Sequence, residues 1–438
     1  MKKIVLGFII CLNFVAAFAQ QDTTTTVHKF TLEDCITYAF ANGYTRQSMK
    51  ISEQSTKDVY DLSKYERFPS LSASLNEGLN HSKATQASPA TNWNGSYGLN
   101  ASVTLFQGGA IGHTIEQNKL QADQAVMQTQ QYDQNLVVQI LQAFLSVLGN
   151  QELLKYQEAV VTASEEQLKQ GEAQWNAGSI IESDYLLLKA QDASAKSNVV
   201  NTQTVIVNSL ISLKNLLSMD PMDRLAIVYP DDQDLDALAL LPSQEIALQK
   251  CIATSPTLKL SQNSVDISTN SIKLARSGYY PTVSLGGSLG TGLSIDYSDF
   301  GTQLADQFNQ RIGLTLSIPI FDNFKTKSQV SQSRAALTQA ELNKKEQAFN
   351  VSQTLVQEYQ NVLSLFSQYK ANDVTQNAYY KTYLAYKAKF NLGSATVVDL
   401  LQQQNNYLNA LNSFIQSKYG FLLNRKVLDV YMGEEIKL

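Results

Sequence analysis

The sequence has little of the chemistry that enzymes and metal proteins use. Its 438 residues include three cysteines and three histidines, and His28, His81 and His113 lack metal-ligand spacing. No nucleophile is paired with a base, and the glycine-rich stretch 286–292 lacks the lysine of a phosphate-binding loop. The composition therefore predicts a protein without cofactor or metal, which is not an enzyme and acts through its structure and surface.

Three other scarcities exclude further classes of protein. Only Cys35 and Cys251 lie beyond the first 19 residues, too few for a disulfide framework, so they form either two buried thiols or one pair. The formal net charge is −5 and there is no basic tract, which argues against nucleic-acid binding. Beyond residue 20 no run of about 18 apolar residues occurs, so no transmembrane helix is predicted.

The N-terminus has the layout of a secretory signal. Two lysines precede an apolar run over residues 4–15, and Ala17-Phe18-Ala19 is a small-x-small cleavage site. We therefore predict a signal peptide over residues 1–19 and a flexible leader over 20–30, which contains four consecutive threonines. The protein is expected to leave the cytoplasm.

Alternation of apolar and polar residues marks four segments as β-strands with one apolar and one polar face. In the clearest of them, small or polar residues separate Tyr97, Leu99, Ala101, Val103 and Leu105. Polar loops at 81–95 and 294–310 join the strands in pairs. The predicted strands cover about residues 69–80, 96–107, 281–293 and 311–321.

The chain contains the same order of elements twice. At an offset of 215 residues, Val103 corresponds to Ile318, and Trp-Asn-Ala-Gly-Ser at 175–179 corresponds to Phe-Asn-Leu-Gly-Ser at 390–394. Each repeat is predicted as helix, strand, strand, long helix, Gly-Ser turn and helix. The first helical stretch of repeat 1 lies at 31–67, with a break at Gly43, and that of repeat 2 lies at 243–277. The predicted divisions are repeat 1 over 31–218, a linker over 219–242, repeat 2 over 243–432 and a C-terminal tail over 433–438.

Long helices follow the second strand of each repeat. After Gly109 about 65 residues pass without proline, and apolar residues in the helices step by three and four as in coiled coils. Gly178 and Gly393 suit left-handed helix ends, so the Gly-Ser turns predict the tips of antiparallel helix hairpins. Ser179 with Glu182 matches a capping box at the start of the next helix.

Four two-faced strands cannot close a barrel, because the smallest membrane barrels have eight. An open sheet in lipid would leave edge N–H and C=O groups unpaired at several kcal/mol each, so closure needs two or three copies. Strands of this kind behind a signal peptide predict the outer membrane of a Gram-negative cell, with the helices in the periplasm. Aromatic residues at the strand–helix junctions form either an interfacial girdle or ordinary packing: Phe68, Phe106, Tyr279, Tyr280 and Phe321.

These features together resemble the TolC family of outer-membrane efflux proteins. The resemblance covers nearly the whole chain beyond the signal peptide and depends on the order of its motifs. These are Phe68-Pro69-Ser70-Leu71, Leu105-Phe106-Gln107-Gly108-Gly109, Tyr280-Pro281-Thr282-Val283 and the two Gly-Ser turns.

The resemblance implies a mainly α fold with a membrane β-barrel, in which a homotrimer forms a 12-stranded barrel continued by a long α-helical periplasmic tunnel. It implies a passive exit duct for efflux of small molecules or type I protein secretion. Docking of a periplasmic adaptor, or membrane fusion protein, and an inner-membrane RND or ABC pump would open it.

The resemblance also implies roles for single residues. The turns that dock the adaptor at the closed periplasmic tip would contain Gly178, Ser179, Gly393 and Ser394. Lumen gate or selectivity positions would fall on Asp399, Asp184 and Gln402, the last where a second aspartate is common. The residues themselves favour a second interpretation of Asp399 equally: Thr396 and Asp399 would form a capping pair at the start of a helix.

Two further alternatives stay open. The tyrosines near the second turn either line a duct or pack between helices: Tyr379, Tyr380, Tyr383 and Tyr386. A secreted trimeric coiled-coil fibre or adhesin would also show heptads and a signal peptide. It would not need four two-faced strands with aromatic junctions.

Overall fold

A computed structural model describes residues 27–81, 91–228, 240–294, 302 and 305–434. The predicted signal peptide lies outside these residues, as do parts of the leader, polar loops, linker and tail. In chain order the described elements are β1 (Val27–Phe30), α1 (Leu32–Asn42), α2 (Tyr44–Lys64), β2 (Ser70–His81), β3 (Thr91–Gln107), α3 (Ala110–Asn176), α4 (Glu182–Leu217), β4 (Arg224–Ile227), α5 (Gln244–Thr254), α6 (Pro256–Ser277), β5 (Thr282–Ser294), β6 (Asn309–Ser317), α7 (Lys325–Asn391) and α8 (Val397–Tyr431).

The predicted duplication is present in this order of elements. Each repeat contains a 67-residue helix, α3 or α7, which is about 100 Å long at 1.5 Å per residue. The predicted break at Gly43 is confirmed, since this residue caps α1 and α2 follows directly. The predicted helical stretch at 243–277 consists of two helices, because Ser255 caps a new helix that begins with Pro256.

The chain divides into two compact units. The first consists of the described parts of residues 1–44, 135–244 and 357–438. Its core lies along the middle of α3 and the second half of α8. The ring of Phe366 on α7 packs against that of Phe421 with 5.2 Å between centroids. Fully buried side chains here include Ile140, Leu141, Phe144, Leu148, Phe421 and Leu428.

One helix of the described chain, α3, is long and apolar enough to cross a membrane by length and composition. This helix matches by its length and mean hydropathy, although polar residues interrupt its apolar runs. The apolar side chains of Leu141, Phe144 and Leu148 on this helix are fully buried in the protein core. Packing against neighbouring helices accounts for their apolar character.

A short parallel ladder joins β1 to β4, with Val27 opposite Arg224 and Phe30 opposite Ile227. The predicted flexible leader over 20–30 is therefore wrong for residues 27–30, which are paired. Each strand is only four residues long, and its partner lies in a distant part of the sequence. Four residues are too few for an alternating pattern to be recognised in the sequence. These strands are stabilised by their pairing with each other, which the local sequence does not show.

The second unit consists of the described parts of residues 45–134 and 245–356 and contains an antiparallel sheet in the order β2-β3-β5-β6. The helix α6 packs along α3, where the buried Asn270 donates to the carbonyl of His113 at 2.8 Å. The strands β2 and β6 are the edges of this sheet. The sheet of one described chain is therefore open, as expected of four strands.

The two largest differences from the predicted strand ends are at the start of β3 and the end of β6. Residues 91–95 were predicted as loop, but they extend β3 along β2, where Trp93 lies opposite Leu79. The strand β6 ends at Ser317, before the predicted end at 321. Pro319 has no N–H to donate, so it cannot continue the ladder.

Candidate functional site

Both Gly-Ser turns end a long helix with the same backbone geometry. Gly178 and Gly393 have φ angles of +69° and +72°. In repeat 1 the Gly178 N–H donates to the carbonyl of Trp175, and the N–H of Ser179 donates to the carbonyl of Gln174. In repeat 2 the Gly393 N–H donates to the carbonyl of Phe390, and the N–H of Ser394 donates to the carbonyl of Lys389. All four distances are 2.8–2.9 Å. These paired bonds form a Schellman motif, which confirms the predicted left-handed glycine caps.

The helices that follow the two turns begin differently. In repeat 2, Thr396 Oγ1 accepts from the Asp399 N–H at 3.1 Å and Asp399 Oδ2 accepts from the Thr396 N–H at 3.1 Å, so the predicted capping pair is confirmed. In repeat 1 the capping box of Ser179 with Glu182 is wrong, because Ile181 is the N-cap and makes no side-chain bond. The N–H of Ser179 closes the preceding helix, which leaves this residue too early to cap α4.

The candidate gate residues lie within two turns of these helix starts. Asp399 is exposed, and hydrogen bonds from the hydroxyl and N–H of Thr396 lower the pKa of its carboxyl. Its repeat-1 counterpart Asp184 is half-buried in the described chain. Gln402 is exposed and donates to Asn406 Oδ1 at 3.1 Å. Both aspartates thus place negative charge where a helix dipole favours it.

Apolar side chains are exposed at both turns. Ile181 at the start of α4 is 67% exposed, and Leu392 beside Gly393 is 83% exposed. By contrast, Phe390 on the helix before the second turn is only 3% exposed. Each turn therefore offers one unpacked apolar group on an otherwise ordered backbone.

The tyrosines near the second turn are divided between packing and exposure. Tyr383 is buried, its hydroxyl accepts from Gln167 Nε2 at 3.1 Å, and its ring stacks on Tyr407. Tyr379 and Tyr380 are partly exposed. Because Gln167 and Tyr383 each precede a Gly-Ser turn by about three helical turns, their bond places both turns at one end of the first unit.

The sheet of the second unit has the two faces that alternation predicts. Cross-strand pairs such as Leu99 with Leu289 form the apolar face, and pairs such as Ser72 with Asn100 form the polar face. The apolar face is exposed in the single chain, and Ile312 is 82% exposed. Contiguous apolar surface of this kind marks a contact with lipid or with another chain.

Aromatic residues lie where the sheet strands join the helices. All five predicted interface aromatics are exposed: Phe68, Phe106, Tyr279, Tyr280 and Phe321. Only partial packing is seen among neighbours, as between the rings of Phe321 and Phe324 at 5.7 Å. An interfacial girdle needs such exposure, and the girdle role stays a prediction.

Gly108 sets the junction between β3 and α3. Its φ is +57°, and a Cβ atom there would lie 2.6 Å from Tyr280 Cβ and 2.7 Å from the Ser277 carbonyl oxygen. Glycine avoids both the strained backbone and the clash. The Gly-Gly pair after the strand is therefore a structural requirement of this junction.

The sheet strands carry one carboxylate, that of Glu77, and one guanidinium, that of Arg311, for which the sequence predicted no role. Glu77 lies on the apolar face, where its carboxylate accepts from the Tyr97 hydroxyl. Arg311 lies on the polar face, opposite Ser288. Counting alternate positions along each strand would have shown on which face of the sheet each residue lies, because successive side chains of a strand point to opposite faces.

Solved structures identify the class of fold. The structure of CusC superposes with a TM-score of 0.81 at 17% identity and covers 96% of both chains. The Campylobacter jejuni CmeC outer membrane channel gives 0.79 at 17% identity, over 92% of this chain and 85% of that one. The TolC-like fold, mainly α-helical with a duplicated repeat, is the part of the predicted fold class that is thereby confirmed.

The sequence itself gives the family. A sequence model described as outer membrane efflux protein matches residues 45–218 and 247–434, which include both turns and all four sheet strands. The chain belongs to the outer membrane efflux protein family. It is 24% identical to the outer membrane protein TolC of Vibrio cholerae over 363 residues, which are 80% of this chain and 79% of that protein.

Family membership decides between the two functions that the sequence left open. The protein is an outer-membrane exit duct for efflux or secretion, and it is not an enzyme. The alternative of a secreted coiled-coil fibre or adhesin is wrong. Channels of this family are trimeric and work with periplasmic adaptors and inner-membrane pumps.

Proposed function

We propose that three copies of this chain close their sheets into one 12-stranded barrel, with the apolar face toward lipid and the polar face toward the lumen. The open edges of β2 and β6 support this arrangement, because unpaired N–H and C=O groups in lipid cost several kcal/mol each. Two copies would give eight strands, which side chains fill. Twelve strands leave a lumen, so three copies fit a duct.

The duct is passive in this proposal and obtains its energy from an inner-membrane pump of the RND or ABC type. No nucleotide-binding motif is present in the sequence. A periplasmic adaptor would dock on the tip turns, which consist of Gly178, Ser179, Gly393 and Ser394. The exposed Ile181 and Leu392 would supply apolar contact area for the adaptor.

Some of the links between helices that opening would break are weak. Within the first unit, Lys387 on α7 lies 3.8 Å from Glu166 on α3, and Lys196 on α4 lies 2.8 Å from Glu165. Exposed ion pairs of this kind contribute about 0–1 kcal/mol each. An adaptor that binds the turns can therefore move one helix hairpin away from its neighbour and widen the periplasmic end.

The observation that carries the proposal is the open, exposed, two-faced sheet, and single-channel recording in planar lipid bilayers tests it. The purified protein is expected to form water-filled channels. Asp399→Asn should raise the half-blocking concentration of a divalent cation by about threefold to tenfold, because each copy loses one lumen charge.

Thr396→Ala is the matched control for this variant. It removes the hydroxyl of the capping pair, at a cost of about 1 kcal/mol of helix stability, and keeps the Asp399 charge. Block should then remain as in the unaltered protein. Equal block in all three proteins would contradict a lumen role for Asp399, and a lack of any channel would contradict the duct itself.

A further inference from the structure

The polar face of the sheet is built almost entirely from small neutral residues. Reading alternate positions across the four strands gives serine, threonine, glycine and asparagine. Direct contacts confirm which side chains share this face, since Ser70 Oγ lies 3.1 Å from Ser102 Oγ across β2 and β3. A lumen lined in this way would be wide and without charge.

Arg311 is the exception among the described residues of this face. It sits on β6 in one cross-strand row with Ser288, Asn100 and Ser72. The side chain is exposed, and Glu77, the acidic residue of the same four strands, lies on the opposite face. No carboxylate of the described strands therefore lies on the same face as the guanidinium.

The surroundings of Arg311 leave its side chain room to extend from the sheet. Gly313, two residues further on the same face, has no atom within 4 Å of the position of an added Cβ. Its cross-strand neighbour Gly286 has only a backbone oxygen at 3.9 Å. Position 311 is also about 20 Å along the strand from the end of β6 at Ser317, at 3.3 Å per residue.

We infer that Arg311 projects into the lumen of the closed barrel, where one copy from each chain forms a ring of guanidinium groups that favours the passage of anionic solutes. This inference depends on the proposed trimeric barrel and adds a selectivity residue to it. A guanidinium stays charged at every physiological pH. Charges of one sign that line an aqueous passage raise the local concentration of the opposite ion.

Reversal potentials across planar bilayers under a KCl gradient test the ring. In about 0.1 M salt, where the screening length is about 10 Å, Arg311→Gln should raise the ratio of potassium to chloride permeability by about twofold to fivefold. Arg311→Lys keeps the charge and should keep the ratio. In about 1 M salt, where the screening length falls to about 3 Å, the difference should shrink.

A chemical rescue separates charge from altered packing. Arg311→Cys should behave like the glutamine variant, and a water-soluble, positively charged methanethiosulfonate should restore the original ratio. The native thiols should not interfere, because Cys35 and Cys251 are buried and burial raises the pKa of both, that of Cys35 to about 12. A negatively charged reagent should shift the ratio further toward potassium.

Glu77→Gln is the control for a lost charge on the opposite face, and its permeability ratio should equal that of the unaltered protein. Two results together would overturn the inference and leave the barrel intact: normal channels whose ratio is the same with arginine or glutamine at position 311, and an Arg311→Cys variant that responds to neither reagent. If the unaltered protein forms no channels, the barrel is contradicted and the inference falls with it.

Discussion

Alanine in place of Gly108 is expected to destabilise the junction of strand and helix by about 2–5 kcal/mol and to prevent most of the protein from assembling. A left-handed backbone costs an L residue about 1–2 kcal/mol, and overpacking adds about 1–3 kcal/mol. The new methyl group would meet Tyr280 Cβ and the Ser277 carbonyl oxygen at 2.6–2.7 Å. Neither group can retreat without moving the chain that leads into β5.

The yield of heat-modifiable protein in outer-membrane fractions measures this effect, and two neighbouring glycines are its controls. At Gly109 the φ is also left-handed, at +83°, but an added Cβ has no contact closer than 3.5 Å. Gly109→Ala should therefore cost only the free energy of the left-handed backbone. Gly112→Ala lies in α3 with nothing within 4 Å and should be neutral or slightly stabilising. Equal yields from all three variants would show that the junction does not depend on Gly108.

Valine in place of Gly393 is expected to abolish most export while leaving assembly intact. A Cβ atom added here meets nothing within 4 Å, so the expected penalty is mainly that of the left-handed φ of +72°, about 1–2 kcal/mol. That cost is small for a trimer, but it falls on the turn that would contact the adaptor. A loss of 1.4 kcal/mol in docking corresponds to about tenfold weaker binding.

Resistance of an export-deficient host to a toxic compound measures the function of this variant, and crosslinking from Ser394→Cys to periplasmic proteins measures docking. Both should fall about tenfold in Gly393→Val. Gly112→Val carries the same side chain on a helix away from the turns and should retain export. Full resistance and unchanged crosslinks in Gly393→Val would show that the turn is not the docking surface.

The parts of the fold that short-range patterns encode could be predicted from the sequence. Alternation located all four sheet strands, and the positive φ at Gly178 and Gly393 followed from their place after a long helix. Features that depend on a distant partner could not be found in this way. Residues 27–30 are a strand only because β4 pairs with them, and the length of β3 depends on β2.

The candidate site was predictable in its positions and less so in its contacts. Thr396 and Asp399 could be recognised as a capping pair because both halves lie within four residues. The same spacing misled at Ser179, whose N–H is already used to close the preceding helix. The lumen position proposed for Asp399 and Arg311 depends on other copies of the chain, so no pattern within one sequence encodes it.

The trimeric barrel is the central claim, and the mass of the intact particle tests it most directly. Native mass spectrometry of protein extracted from outer membranes in detergent should show a mass of three chains. That particle should be lost on heating, because the sheets then separate. A single chain that stays monodisperse in detergent-free buffer would contradict the account, since its exposed apolar sheet could not exist alone in water.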